Sequence, residues 1–321
     1  MQTLITGGAG FIGSHLTELL LSAGQEVTVV DCMNRESLAN LAEVEDHERL
    51  TVHNVDLLHT DNLRSIFAGH NSVYHLAARV GGVGFLREHP ATIMAENDEL
   101  NRRVFEASVN ADVDRLLYAS SSMLYAEASE FPTHETAVEE IPPPRGSYGF
   151  QKLNGEYYCD AFYREYGLEY VSARIFNAVG PRDWPGELVG YGHVVPDMIK
   201  KIVDLGQDPV TVKGSGNQTR CFTDVRDTVR GLQQCMESAE TANQAVNIST
   251  THETSIIELI EVIWEVAGLP GSPSIETQSG FEKDVERRVP DTSRARRLLS
   301  WKPEFSLRDS IKWYLQEYKS E

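Results

Sequence analysis

Residues 2–13 read QTLITGGAGFIG and join a short apolar strand to a glycine-rich turn. Gly7, Gly10 and Gly13 follow the strand and open a stretch with apolar residues at helical spacing. The first glycine permits a tight turn, the second lets the backbone approach a pyrophosphate, and the third lets the helix pack on the strand. The helix N-terminus then offers backbone N–H groups to the phosphates. The stretch therefore predicts a dinucleotide-binding strand–turn–helix unit.

The remainder of the first half alternates short apolar strands with helical stretches. The later strands are predicted at 26–31, 50–57, 72–78, 114–121 and 170–177. Helices are predicted at 11–24, 60–67, 91–110 and 149–166. Short apolar strands joined by helical crossovers form a parallel sheet that is covered on both faces. The predicted fold class is therefore α/β, a doubly wound parallel sheet of the Rossmann type with a smaller C-terminal α/β domain.

After residue 177 the amino-acid composition changes, and Gly and Pro become frequent, as in GPRDWPGELVGYG. Further elements are predicted as a helix near 196–205, a strand-like stretch at 210–214 followed by the segment 221–227, and helices at 254–267 and 302–318. We expect residues 1–176, joined by about 222–248, to form the cofactor domain. Residues 177–321 should form most of the substrate domain.

Charge and composition exclude several classes of protein. The net charge of −19 disfavours nucleic acid and anionic membranes as partners. No apolar run approaches the 18 residues of a membrane-spanning helix, and the chain begins directly with a strand and a glycine turn, so we expect a cytoplasmic protein. The four cysteines are far apart and form no Cys/His cluster, which favours reduced thiols and no metal site.

Acidic residues at strand ends point to the identity of the cofactor. Asp31 ends the second strand, 18 residues after Gly13, where a carboxylate accepts hydrogen bonds from a ribose 2′-OH and repels a 2′-phosphate. This favours NAD over NADP, although Arg35 nearby would suit a 2′-phosphate. Asp56 ends the third predicted strand and could meet the adenine. Leu76, Ala77 and Ala78 end the fourth, where small residues let a cofactor lie close.

Tyr148 and Lys152 are spaced four residues apart in YGFQK and lie on one face of a predicted helix. A lysine ammonium beside a phenol favours the phenolate, so the tyrosine can act as a general base near neutral pH. The same spacing also occurs in ordinary pairs on helix surfaces. The glycine turn upstream and the serine run after the fifth strand favour the catalytic interpretation.

With these motifs in place, the whole chain resembles the extended short-chain dehydrogenase/reductase family, in the group that modifies nucleotide sugars. The resemblance is carried by TGGAGFIG, LAA, YASSS, YGFQK, RIFNAVGP, TRCFTDVRD and LLSWKP. It implies that Ser121, four residues before Tyr125, hydrogen-bonds the sugar O4 beside Tyr148. It implies structural roles for Ser120 and Ser122, with Ser122 retained as a possible substrate contact. Additional cofactor contacts implied by the resemblance are Phe11, Ile12, Leu57, Asn97 and Phe176.

Two features are similar to a narrower part of that family. GGVG, with Gly82 and Val83 at its centre, looks like the substrate loop of GDP-mannose 3,5-epimerase and, less closely, of GDP-fucose synthase. GHVVPDMI places His193 where those enzymes carry an acid/base Lys or His, although a lone histidine can also be structural. Those relatives carry a cysteine acid/base two residues after the serine, where this chain has Met123. The 4,6-dehydratases carry Asp-Glu after the serine, so Ser122 and Met123 argue against sugar dehydration.

The resemblance also implies the residues that would bind the nucleotide diphosphate. These are Asn177 after the sixth strand, Arg220 in NQTRCF and, as a further phosphate candidate, Arg288. Guanidinium groups suit phosphate because their donors are planar and bidentate. Each arginine could instead form a surface ion pair, and the nucleotide base cannot be read from the sequence.

We therefore expect an NAD-dependent epimerase of nucleotide-diphosphate sugars that works through a transient 4-keto sugar and inverts C4, or one of C3 and C5. A 4-keto-sugar reductase using free NAD(P)H and a double 3,5-epimerase are the alternative enzymes. A nucleotide-sensing protein on the same fold is disfavoured because the Tyr/Lys pair is present. The family implies a homodimer formed through the helices near 91–109 and 149–166.

Overall fold

A computed structural model describes residues 2–33, 35–186, 188–280 and 285–318, apart from the side chains of residues 35 and 36. Its strands are β1 Gln2–Thr6, β2 Glu26–Asp31, β3 Leu50–Asn54, β4 Ser72–His75, β5 Arg115–Ser121, β6 Glu169–Ile175, β7 Ala178–Val179, β8 Val210–Lys213, β9 Thr219–Arg220, β10 Thr223–Asp224, β11 Gln244–Ile248, β12 Thr254–Ser255 and β13 Ile275–Gln278. Seven of them form one all-parallel sheet in the order β3-β2-β1-β4-β5-β6-β11. This sheet confirms the predicted fold class.

Helices cover the sheet and build the rest of the molecule. They are α1 Phe11–Ser22, α2 Arg35–Ala39, α3 Leu63–Phe67, α4 Val83–Glu88, α5 Pro90–Asn110, α6 Ser147–Tyr166, α7 Val194–Ile199, α8 Val225–Glu237, α9 Ile256–Val266, α10 Ser293–Leu299 and α11 Leu307–Tyr318. A π-helical turn over Lys200–Asp204 continues α7. Short 3₁₀ turns lie at Ser122–Tyr125, Glu135–Glu139 and Ala239–Thr241.

The sheet is apolar on both faces because each face packs on helices. Leu16 and Leu20 of α1 join residues of α8 in one core, and Phe67, Val104 and Phe105 of α3 and α5 join α6 in the other. Every residue of β5, an interior strand of the sheet, is buried. Two-sided burial explains why the strands read as continuous apolar runs rather than alternating ones.

A third core lies outside the sheet and belongs to the C-terminal part of the chain. It is formed by α7, the π-helical turn, α9, α11 and β8, with Ile199, Ile260 and Ile311 completely buried. Three two-stranded sheets flank it: β8 pairs with β13, β9 with β12, and β7 with β10. This smaller unit packs against the carboxyl ends of the sheet strands and forms the second wall of the cavity described below.

Several predicted boundaries were wrong by a few residues. β3 ends at Asn54, so Asp56 lies in the following turn, where its Oδ1 accepts a hydrogen bond of 2.8 Å from the Leu58 N–H. That local bond competes with strand pairing and ends the strand. β4 likewise stops at His75, so residues 76–78 form a loop rather than a strand end.

The segment 221–227 is strand only at Thr223–Asp224. The Asp224 side chain accepts a bond of 2.8 Å from the Arg226 N–H and caps α8, so the chain turns into a helix at this point. α8 and β11 return the chain to the main sheet, where β11 pairs with β6. The final helix begins at Leu307, five residues later than predicted.

Candidate active site

A cavity of about 660 Å³ lies at the carboxyl ends of the sheet strands, between the sheet and the smaller unit. This is the edge at which ligands bind in open α/β folds. The predicted cofactor residues that line it are Gly7, Gly10, Phe11, Ile12, Gly13, Asp31, Asp56, Leu57, Leu76, Ala77, Ala78, Tyr148 and Lys152. The remaining predicted site residues that line it are Gly82, Val83, Ser121, Ser122, Asn177, His193, Arg220 and Arg288.

The glycine turn after β1 has no room for side chains at its two ends. Gly7 has a φ of +71°, and a Cβ there would lie 2.7 Å from the backbone nitrogen of Ala77. A Cβ on Gly13 would lie 2.0 Å from the Gly7 carbonyl oxygen. The turn is therefore as tight as a dinucleotide pyrophosphate requires, and α1 begins directly behind it.

Asp31 holds the position expected of a ribose-binding acid. Its Oδ2 accepts a hydrogen bond of 3.0 Å from the Ala9 N–H in the glycine turn, and the side chain lines the cavity. Burial raises the pKa of Asp31, opposed by that hydrogen bond. The Arg35 side chain, a possible partner for a 2′-phosphate, lies outside the described part of the structure. The glycine turn and Asp31 together fit NAD.

Two residues assigned to the cofactor do not line the cavity. Asn97 is buried on α5, where its Oδ1 accepts from the Arg79 N–H at 2.6 Å and its Nδ2 donates to the Arg79 carbonyl at 3.0 Å. Phe176 is also buried and packs beside Tyr125. Asn97 therefore braces the loop that carries Arg79, and Phe176 belongs to a small apolar core.

Tyr148, Lys152 and Ser121 meet at the cavity wall. Tyr148 and Lys152 lie on the first turns of α6, and Ser121 ends β5. The Ser121 hydroxyl is hydrogen-bonded to the Tyr148 phenol. The Lys152 ammonium donates to the Ala119 carbonyl at 2.7 Å and lies 5.9 Å from the centre of the Tyr148 ring. A phenol, a hydroxyl and an ammonium thus share one end of the cavity.

The electrostatics of this group differ from the sequence prediction. Burial raises the pKa of Tyr148, while the Ser121 hydrogen bond and the charge of Arg288 act to lower it. Burial also lowers the pKa of Lys152 to about 8. The sequence predicts that the Lys152 ammonium favours the phenolate, but in the protein without cofactor the groups that act to lower the pKa of Tyr148 are Ser121 and Arg288. The ammonium is hydrogen-bonded to the Ala119 carbonyl. Bound NAD⁺ would add positive charge to the site, which favours the phenolate.

Two glycines on α6 hold the helix close to the serine turn. A Cβ on Gly149 would lie 2.7 Å from the Met123 carbonyl oxygen, and a Cβ on Gly155 would lie 2.1 Å from the Tyr118 hydroxyl. The absence of side chains at these positions lets α6 pack directly on β5 and on the turn after it. That contact sets the separation between Tyr148 and Ser121.

Ser120 and Ser122, on either side of Ser121, have different hydrogen-bond partners. Ser120 donates to Glu156 at 2.6 Å, and Glu156 also forms a buried ion pair of 2.6 Å with Arg174, so Ser120 is structural. Ser122 accepts from Arg288 Nη1 at 3.1 Å, and the same nitrogen lies 2.9 Å from the Met123 sulfur. Arg288 therefore lies against the turn that follows Ser121, close enough for its charge to lower the pKa of Tyr148.

His193 carries an interaction that the sequence did not reveal. Its Nδ1 lies 2.9 Å from Oδ1 and 3.1 Å from Oδ2 of Asp183, and both residues line the cavity. The Asp183 charge raises the pKa of His193, and the hydrogen bond between the two side chains acts in the same direction. The two residues form an imidazole–carboxylate pair, an arrangement that can transfer protons.

The predicted GGVG loop is the start of α4, with Gly82 preceding the helix, and it contacts the segment 190–192. The Gly82 N–H donates to the Tyr191 carbonyl at 2.7 Å, and the Gly84 N–H donates to the Gly190 carbonyl at 3.0 Å. A Cβ on Gly82 would lie 2.0 Å from the Gly192 carbonyl oxygen. Glycine is therefore needed at Gly82 for this contact.

The remaining predicted contacts lie deeper in the smaller unit. Asn177 has a φ of +29°, and its Nδ2 lies 3.5 Å from the Cys221 carbonyl. Arg220 is buried and donates to the Thr219 carbonyl at 2.7 Å. Cavity residues that the sequence analysis missed include Cys32, Arg79, Asp183, Asp197, Lys201 and Phe222. Asp197, Lys201 and Phe222 lie in segments that were predicted, whereas Cys32, Arg79 and Asp183 lie in connecting loops, and no local pattern distinguishes the residues that face the cavity.

Comparison with known proteins identifies the class to which this fold and site belong. The model of the NAD dependent epimerase/dehydratase family matches residues 3–249, and the chain belongs to that family. This membership confirms the resemblance drawn from the motifs and NAD as the cofactor. Within the described residues, no helix is both long and apolar enough to cross a membrane.

Particular relatives act on different nucleotide sugars. The chain is 33% identical to UDP-glucuronic acid decarboxylase 1 of Xenopus tropicalis, over 100% of this chain and 72% of the relative. It is 30% identical to GDP-mannose 3,5-epimerase 1 of Oryza sativa subsp. japonica, over 98% of this chain and 80% of the relative.

Solved structures of two 4-epimerases superpose closely. The UDP-glucose 4-epimerase of Thermotoga maritima, solved with UDP-glucose, is 30% identical with a TM-score of 0.88, covering 100% of this chain and 99% of that one. The UDP-glucuronic acid 4-epimerase of Bacillus cereus, solved with UDP-glucuronic acid and NAD, is 28% identical with a TM-score of 0.86, covering 100% and 99%.

Proposed function

We propose that the protein is an NAD-dependent epimerase of nucleotide-diphosphate sugars that acts through a transient 4-keto sugar and inverts C4 or a single carbon beside it. The observation that carries this proposal is the meeting of Ser121, Tyr148 and Lys152 in the same cavity as the glycine turn. The relatives support a nucleotide-sugar substrate, since each acts on or was solved with one.

The roles of the residues follow from their positions. Tyr148 would take the proton from the sugar O4, and the Ser121 hydroxyl would hydrogen-bond the same oxygen. Lys152 would supply positive charge beside the phenol and contact the cofactor. NAD, when bound, supplies reversible acceptance of the hydride from C4. Return of the hydride to the other face of the ketone gives the C4 epimer once the sugar has turned over.

Met123 limits what else this site can do. Inversion of both carbons flanking a 4-keto group needs proton transfer at both, and the thioether of Met123 has no titratable proton. Met123 instead lies against the Arg288 guanidinium. We therefore propose that the enzyme does not perform double 3,5 inversion, and that His193 could serve at most one flanking carbon.

Decarboxylation of a nucleotide-linked uronic acid is the second candidate, and the position of Arg288 favours it. The guanidinium contacts Ser122 and Met123, and its charge acts on Tyr148, so it would suit a C6 carboxylate at this end of the cavity. A 4-keto uronic acid is a β-keto acid, so loss of CO₂ would start from the same transient ketone. Two of the relatives described above take UDP-glucuronic acid.

The roles of the two domains, the oligomeric state and the location in the cell are also proposed. Residues 1–176 with 222–248 would bind the cofactor, and 177–321 would supply most of the substrate contacts. A homodimer would form through α5 and α6, where Tyr157 and Tyr166 of α6 are exposed. A cytoplasmic location is consistent with the buried Cys159, Cys221 and Cys235, which are free thiols.

The experiment is a panel of UDP-, GDP-, CDP- and dTDP-sugars, including UDP-glucuronic acid, given to purified protein that retains NAD. Product NMR would separate the candidates. A C4 epimer or a single C3 or C5 epimer supports epimerisation, and a pentose product supports decarboxylation. Consumption of added NADPH with a 4-keto sugar would instead support the reductase. The proposal is wrong if no sugar reduces the bound nicotinamide and no product forms.

A further inference from the structure

We infer that Asp183 is a positioning residue that holds His193 as a proton-transfer group for a carbon adjacent to the transient ketone. This inference rests on the proposed function and adds a residue and a proton-transfer step to it. The observation behind it is the hydrogen bond from His193 Nδ1 to the Asp183 carboxylate, at 2.9 Å, inside the cavity.

The geometry determines which ring nitrogen is available. A carboxylate accepts hydrogen bonds and does not donate them when ionised, so Nδ1 carries the proton that it shares with Asp183. Among the hydrogen bonds of the described residues, those of the imidazole all go through Nδ1 to Asp183. Nε2 is therefore the atom left for a ligand in the cavity.

The segment that carries Asp183 is fixed by contacts of its backbone and of the neighbouring residues. Its carbonyl accepts from the Tyr314 hydroxyl at 2.7 Å, and Tyr314 is completely buried. The preceding residue, Arg182, forms an ion pair of 2.5 Å with Glu18 on α1, and the following Trp184 packs edge-on against Tyr314. The Asp183 side chain is 13% exposed, against 48% for His193. The backbone that carries the carboxylate is thus anchored, and the more exposed imidazole lines the cavity.

A second carboxylate, that of Asp197, also acts on the imidazole. Asp183 and Asp197 both favour the imidazolium form of His193, and Asp183 has the larger effect. The Asp197 carboxylate interacts with other groups, because its Oδ2 accepts a hydrogen bond of 2.6 Å from the Gly190 N–H and the positive charge of Lys201 acts on it. Asp183 is therefore the acid that orients the ring.

The proton-transfer step balances without a further reactant. The C4 ketone acidifies the C–H bond of its neighbour, and neutral Nε2 accepts that proton while the bonding electrons form an enolate with its charge on the C4 oxygen. Return of a proton from Nε2 to the same carbon restores the C–H bond and the ketone. Hydride return to C4 then completes the turnover. In D₂O the imidazolium exchanges its proton with solvent, so the carbon gains deuterium.

The test uses purified NAD-containing protein with UDP-glucuronic acid, UDP-glucose and GDP-mannose in D₂O. Reduced-nicotinamide absorbance reports the hydride step, and NMR reports deuterium at C3 and C5. We expect deuterium at one flanking carbon in the natural protein. His193→Gln should lower that incorporation by ~10²-fold or more and should leave the hydride step within about threefold, because a positioned base is lost and Tyr148 is not.

Asp183→Asn separates a positioning role from a structural one. The amide oxygen can still accept from Nδ1, but the charge that favours the imidazolium is gone, so the pH midpoint of exchange should move to lower pH. Exchange should fall while the hydride step persists. His134→Gln, at an exposed histidine whose Nδ1 lies 2.7 Å from the Thr136 hydroxyl, is the matched control and should change neither readout.

The outcomes are distinguishable. Nicotinamide reduction without deuterium at C3 or C5 overturns the role of the pair and leaves a C4 epimerase standing. Unchanged exchange in His193→Gln, or an unmoved pH midpoint in Asp183→Asn, also overturns it. Equal loss of exchange and of the hydride step in both variants would mean that the pair is structural. If none of the three sugars reduces the nicotinamide, the exchange assay is repeated with the full panel of UDP-, GDP-, CDP- and dTDP-sugars, and no reduction with any of them defeats the proposed function and the inference with it.

Discussion

The two walls of the cavity are built in different ways. The cofactor wall uses short sequence motifs, such as the glycine turn and the Tyr148/Lys152 pair on one helix. The substrate wall uses side chains that are distant in sequence, such as Arg288 on Ser122 and Asp183 on His193. The first wall is therefore readable from local patterns, and the second exists only after folding. The following predictions test whether the walls also differ in function.

The largest loss of turnover should come from removal of the Tyr148 phenol, which lies where the two walls of the cavity meet. Tyr148→Phe should lower turnover by ~10² to 10⁴-fold, the usual contribution of a positioned acid/base. NAD content should not change, because the phenol is not required to anchor the cofactor. Turnover and bound NAD would be measured together. Tyr157→Phe is the control, since Tyr157 lies on the same helix but is 66% exposed. An active Tyr148→Phe enzyme would remove this residue from the mechanism.

A substitution in the glycine turn of the cofactor wall should abolish NAD binding. In Gly13→Ala the new Cβ would lie 2.0 Å from the Gly7 carbonyl oxygen, so the backbone of the turn must move. We expect loss of retained NAD and a drop of ~3 kcal/mol or more in the free energy of unfolding. Calorimetric NAD titration and thermal unfolding are the measurements. Gly186→Ala meets nothing closer than 4.0 Å and should behave like the natural protein. Normal NAD affinity in Gly13→Ala would show that the turn is not under this constraint.

The choice between NAD and NADP should depend on one carboxylate of the same wall. Asp31→Asn removes a negative charge that opposes a 2′-phosphate and weakens the acceptor for a 2′-OH. A hydrogen bond to a charged group contributes ~1.5–3 kcal/mol, so the preference for NAD should fall by about 10- to 100-fold. Both affinities would be measured by calorimetry on protein stripped of cofactor. Equal affinities in the unsubstituted protein would mean that Asp31 does not contact the ribose.

The smallest effect, about twofold at its midpoint, is a pH dependence assigned to Lys152. Burial lowers its pKa to about 8, so the ammonium is present below that pH and is lost above it. Turnover should fall by about half near this pH and by roughly tenfold for each further pH unit, as the charge beside the phenol disappears. A pH–rate profile from neutral to alkaline pH tests this. Lys152→Arg keeps a charge that is not lost in this range, so any residual activity should lack the decline. A natural enzyme whose rate is flat across this range would contradict the assignment.

Three side-chain orientations could not be read from the sequence, and they share a cause. Asn97 and Phe176, which the resemblance assigned to the cofactor, have buried side chains, one hydrogen-bonded to the Arg79 backbone and the other packed beside Tyr125. The Lys152 ammonium, expected to act on the phenol, is hydrogen-bonded to the Ala119 carbonyl. Chain position did not determine side-chain direction in these cases.

The sequence by itself determined the sheet, the glycine turn, Asp31 and the spacing of Tyr148 and Lys152, because strand alternation, glycine geometry and the helical repeat act over a few residues. Only the tertiary structure decided that Arg288 contacts Ser122 and Met123 and that Asp183 is hydrogen-bonded to His193. Those contacts join segments whose approach depends on packing of the smaller unit against the sheet. A side chain's partner across such an interface is set by the shape of both surfaces, and no local pattern in the chain encodes it.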